Sequence, residues 1–74
     1  MNALEYYTVE NTGWSGGVSW FRNDFRFGTL TEAEEHAKAE QESLNDPDTL
    51  WRVVKTVVER GDTWESITRT WKQL

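Results

Sequence analysis

Residues 50–58, LWRVVKTVV, constrain this chain more than any other segment, because they are apolar on both sides of a strand in a protein of only 74 residues. Successive side chains of a strand point to opposite faces. Leu50, Arg52, Val54, Thr56 and Val58 therefore share one face, while Trp51, Val53, Lys55 and Val57 share the other, and neither reads as a solvent face. Trp51 and Val53 are expected on one side and Arg52 and Val54 on the opposite side, with Val54 and Val58 among the most buried residues. The remainder of the chain offers one good helix, enough to cover one side. A second copy of the chain or another protein is the expected cover for the other.

Residues 1–74 fit one domain, near the lower limit at which a core alone stabilises a fold. The absence of cysteine removes disulfides and thiolate metal sites and fits a reducing compartment. The opening MNALEYYTVE lacks the basic and continuous apolar regions of a signal peptide, and no window approaches the roughly 20 apolar residues of a membrane span. A cytoplasmic protein with no membrane partner is expected. Thirteen acidic residues against eight basic ones give a net charge of -5. That balance argues against a nucleic-acid partner, since phosphate contacts need clustered Lys and Arg, and it suits either plain solubility or a basic protein surface.

The chain reads as strand, strand, helix, strand, strand. Residues 4–11 (LEYYTVEN) and 18–22 (VSWFR) have strand composition, separated by a glycine-rich loop over residues 11–17. Asn23 and Asp24 mark a turn, and residues 25–28 either continue the strand or form a third short one, so that a hairpin runs from Leu4 to about Phe27. Thr31 and Glu34 fit a capping box with Thr31 as N-cap, and the helix should run to about Leu44, ahead of the turn signal Asn45-Asp46-Pro47-Asp48. Its inward stripe is Ala33, Ala37, Gln41 or Glu40, and Leu44, a thin face that leaves large strand residues to supply the core. Strands over 49–59 and 64–72 flank the turn Arg60-Gly61-Asp62-Thr63. Two hairpins joined by one helix give an α+β fold: a single antiparallel sheet of about four strands, ββαββ, with the helix packed on one face.

Residues 25–37 (FRFGTLTEAEEHA), followed by the hairpin TLWRVVKTVVERGDTWE, resemble small bacteriophage-encoded ββαββ proteins of the anti-CRISPR or host-defence-inhibitor type. The resemblance implies a stoichiometric inhibitor, located in the host cytoplasm, that binds a host protein or protein complex and does no chemistry.

The residues themselves offer little chemistry. His36 is the single histidine, so no Ser-His-Asp arrangement and no multi-histidine metal site can be built, and it reads as a solvated or sheet-flanking residue. The spacing of Gly13, Gly16 and Gly17 is not that of a phosphate loop, no calcium-loop pattern is present, and Arg60-Gly61-Asp62 reads as a turn. No catalytic residue, metal ligand or cofactor is expected.

Acidity and surplus aromatics, five tryptophans among them, combine into one functional expectation. Glu32, Glu35, Glu42, Asp46 and Asp48 would steer the protein to a basic surface of a host defence or nucleic-acid-handling complex, and one or more of Trp51, Trp64 and Trp71 would supply anchors. Two alternatives stay open. One is a homo-dimeric interaction module. The other is single-stranded nucleic-acid binding on the open sheet face, where Trp51-Arg52, Trp20-Phe21-Arg22 and Arg69-Thr70-Trp71 place aromatic residues beside arginines.

Overall fold

The computed structural model describes residues 2–13 and 19–74. Strands β1 (Asn2–Asn11), β2 (Phe21–Arg22), β3 (Trp51–Arg60) and β4 (Glu65–Gln73) form one antiparallel sheet in the order β2-β1-β3-β4, and helix α1 (Leu30–Leu44) packs against one of its faces. This is the expected ββαββ arrangement. Trp14 and Val18, and with them most of the loop expected over residues 11–17, lie outside the described residues.

β1 and β3 are the central pair, in register from Asn2 opposite Arg60 to Asn11 opposite Trp51. That register sets the faces. Tyr7, Val9, Trp51 and Val53 point toward the helix, where Val9, Trp51 and Val53 close over Ala33 and Ala37, with Tyr7 and Phe27 packed around them. The alanines let the helix lie close to the sheet, and the strands supply the bulk, each large apolar side chain contributing roughly 1.5–3 kcal/mol on burial. Phe27 joins this layer through an isolated bridge, exchanging 2.8 Å backbone hydrogen bonds with Tyr7 in both directions. The first hairpin therefore extends to Phe27, as its sequence predicts.

The helix begins two residues earlier than expected. Thr29, not Thr31, is the N-cap: its backbone is extended (φ -132, ψ 154), its hydroxyl oxygen accepts from the Glu32 amide at 3.2 Å, and its hydroxyl donates to the Glu32 carboxylate at 3.1 Å. The segment Thr29-Leu30-Thr31-Glu32-Ala33-Glu34 contains two overlapping Thr-x-x-Glu registers. Phe27, fixed to β1, leaves only Gly28 before the chain must turn, so the earlier register wins. At the other end Asn45 adopts the left-handed conformation (φ 50, ψ 40) and donates to Gln41 O at 2.9 Å. Leu44, expected to continue the buried stripe, is 58% exposed. The last turn runs beside an open cleft lined by Gln41, Asn45, Pro47, Leu50, Trp51 and Leu74 rather than onto the sheet.

The second face of β3 is covered differently from the expectation. Thr8, Val54 and Thr56 lie on the face turned away from the helix, yet they are only 3%, 4% and 2% exposed. Long side chains flank them on that same face: Trp71 is opposite Val54 in the register, Tyr6 is opposite Thr56, and Arg52 stacks on both Trp20 and Trp71. Val58, expected among the most buried residues, is only half-buried. Its cross-strand neighbours Leu4 and Ile67 are exposed aliphatics at the end of the sheet without such rings.

Candidate functional site

Strand alternation sorts the basic residues of this chain by type. Arg52 and Arg60 on β3, Arg69 on β4 and Arg22 on β2 all occupy register positions on the helix-free face, and Arg26 reaches it by stacking 4.3 Å above the Tyr6 ring. These are all five arginines of the sequence. The three lysines are elsewhere: Lys38 on the helix, and Lys55 and Lys72 on the helix side of the sheet, where Lys72 pairs with Glu34 at 2.9 Å and Lys55 lies 3.8 Å from Glu5. Among the strand residues described, Glu10 and Glu65 are the acids that share the helix-free face with the arginines.

The acids gather on the other side. From Thr29 to Asp48 the chain has seven carboxylates against one lysine. The net charge of -5 is thus an average over two unlike surfaces, a basic sheet face and an acidic helix layer.

Aromatic rings are interleaved with the arginines. The Arg52 guanidinium lies 4.0 Å from the Trp20 ring centroid and 5.1 Å from that of Trp71, and it is held in place by the Glu10 carboxylate through contacts of 2.7 and 2.8 Å. A planar cation between two rings is a stable stack. Trp71 nevertheless remains 64% exposed. Arg60 is paired with Glu65, whereas Arg22, Arg26 and Arg69 form no ion pair among the described residues. Toward the far end of the face, Leu4, Tyr6, Arg26, Val58 and Arg60 line an open groove of about 300 Å³.

The structure divides the residues expected to bind a partner. Trp51 is 2% exposed in the core and is not a surface anchor; its position in the register, opposite Asn11, turns it toward the helix. Trp64 is exposed but packs on Gly61 at the turn, so tightly that a Cβ there would overlap its indole. Trp71 is exposed on the helix-free face. Glu32 is engaged with Thr29, and Asp46 accepts from the Asp48 amide and the Thr49 hydroxyl at 3.0 Å each, which shapes the turn into β3. Glu35, Glu42 and Asp48 are exposed, without an ion pair among the described residues. Of the expected anchors, Trp71 is the one placed on the sheet face opposite the acidic helix. Trp20, Tyr6 and the arginines, which were not among the expected site residues, share this face; the sequence signal for that juxtaposition is the Trp-x-Arg and Arg-x-Trp spacing, whose members share a face in any strand.

His36 is a brace. Its Nε2 lies 2.6 Å from Glu40 Oε1 and 2.9 Å from Asn23 Nδ2, and the rings of Phe25 and Phe27 flank it. Among the described residues no group of three or more His, Asp or Glu side chains could hold a metal ion, and no helix is long and apolar enough to cross a membrane. No protein-family model, curated protein or solved structure matches this chain.

Proposed function

We propose that the protein is a non-catalytic binding module that engages an anionic partner through the helix-free face of its sheet. The observation that carries this reading is the segregation of all five arginines, with Tyr6, Trp20 and Trp71, onto one face of an otherwise acidic protein. The acidic layer does not cancel that face. Carboxylates on the outer side of the helix stand about one helix diameter, 10–12 Å, beyond the sheet. That exceeds the Debye length of about 8 Å at physiological ionic strength, so a partner at the sheet feels the arginines first.

Chromatography on immobilised heparin tests this. The protein should be retained at an ionic strength of about 0.1 M, where the Debye length is about 10 Å, despite a pI near 4.7, and Arg22→Glu with Arg69→Glu should abolish retention while Lys38→Gln leaves it unchanged. Wild-type protein in the flow-through overturns the reading.

A second reading uses the opposite side. Glu35, Glu42 and Asp48 are exposed and unpaired among the described residues, which suits an inhibitor that docks on a basic, nucleic-acid-handling host complex. It requires that Glu35→Lys and Glu42→Lys slow association with a basic partner and flatten its salt dependence.

A further inference from the structure

We infer that the anionic partner of the helix-free face is a single-stranded nucleic acid, with a base stacked on Trp71 and phosphates against Arg22, Arg26 and Arg69. The inference rests on the reading of that face as a binding surface and names its ligand class.

The first argument is the kind of cation. A guanidinium stacks on rings and meets phosphate oxygens in a planar fork, and among the described residues the basic side chains on this face are all arginine. The second is the exposed ring. Arg52, tied to Glu10 and stacked against Trp20 and Trp71, supports the Trp71 indole from within the sheet face and leaves most of it in solvent. Every base has a π-face, so such a ring takes any base, and exposed aromatics on a four-stranded sheet are a recurring platform for single strands.

Spacing agrees with an extended strand. Residues on one face of a β-strand recur about every 6.6–6.8 Å, comparable to successive phosphates of a stretched polynucleotide. Three successive rows hold the rings and cations: Tyr6, Thr56 and Arg69 with Arg26 alongside; then Thr8, Val54 and Trp71; then Arg22, Glu10, Arg52 and Gln73 with Trp20 stacked above. Three rows accommodate about three or four nucleotides, the low end of site sizes for single-strand folds. A duplex fits less well. Its major groove admits a helix or a two-stranded ribbon, and the one helix among the described residues carries the acidic layer. An acidic protein segment would use the arginines but would leave the Trp71 ring without a stacking partner.

The test is a titration of the full chain with fluorescently labelled oligothymidine and oligouridine of about eight nucleotides, roughly twice the footprint, and with a duplex of the same length. Single strands should bind in preference to the duplex. Three unpaired arginines predict a slope of log K against log salt near -2 between roughly 50 and 200 mM. Trp71→Ala should weaken binding about tenfold or more, and Trp71→Phe should restore most of it. Arg22→Gln and Arg69→Gln should each reduce the slope by about 0.7, and Lys38→Gln should change nothing. Trp71 is largely exposed, and an unchanged thermal melt of each variant verifies folding. Oligonucleotide binding that ignores Trp71→Ala and does not prefer single strands overturns this inference while heparin retention keeps the basic face standing. So does Trp71-dependent binding of a polyglutamate peptide with none of either oligonucleotide. Loss of heparin retention as well removes both readings.

Discussion

The capping register of the helix can be decided by two single substitutions. Thr29→Ala removes the hydroxyl that accepts from the Glu32 amide at 3.2 Å and donates to its carboxylate at 3.1 Å. Loss of such a cap costs about 1 kcal/mol. Thr31 lies inside the first turn, is exposed, and forms no side-chain hydrogen bond among the described residues. Its replacement by alanine gives up nothing and gains a few tenths of a kcal/mol in helix propensity. For a chain of this length the unfolding entropy, about 2.1 cal/mol/K per residue, comes to roughly 155 cal/mol/K, so 1 kcal/mol lowers the melting temperature by about 6 °C. Thermal melts followed at 222 nm should therefore show Thr29→Ala about 6 °C below wild type, Thr29→Ser close to wild type, and Thr31→Ala level with it or slightly above. If Thr31→Ala melts lower and Thr29→Ala does not, the helix starts at the later register and the reasoning from the Phe27 anchor is wrong.

Trp51 and Trp71, on opposite faces of the sheet, should part company in stability. Trp51→Ala opens the core at its largest member and should cost about 3–5 kcal/mol, a large share of the roughly 4–11 kcal/mol expected for a domain this small, whereas Trp71→Ala should cost under about 1 kcal/mol; urea denaturation separates them, and equal costs would refute the face assignment. Gly61→Ala should displace the Trp64 indole and destabilise the second hairpin by about 1 kcal/mol. In nuclear magnetic resonance spectra the Gly61 α-protons should be shifted upfield by the indole ring, and Trp64→Ala should remove the shift; an unshifted pair in the wild type would show that the contact is absent.

Local sequence was sufficient for the elements and their faces. Strand composition, the Asn45-Asp46-Pro47 stop and period-two alternation placed four strands, one helix, and Trp51 and Val53 opposite Arg52 and Val54, because each depends on neighbours within a few residues. The helix start depended on more. Two Thr-x-x-Glu registers are equal in sequence, and only the backbone bonds of Phe27 to Tyr7, 20 positions apart in the chain, distinguish them. The cover of the second face of β3 was also tertiary. Its alternation was legible, but that Trp20, Arg52 and Trp71 would stack together required β2 to pair with β1 and β4 with β3. The charge map is the clearest case. A net charge of -5 is a sum over the chain and carries no position, whereas strand register put four arginines on one side of the sheet, stacking on Tyr6 brought Arg26 to the same side, and the helix kept its carboxylates on the other. Electrostatic attraction falls off within about a Debye length, so a partner responds to the face it meets and not to the total.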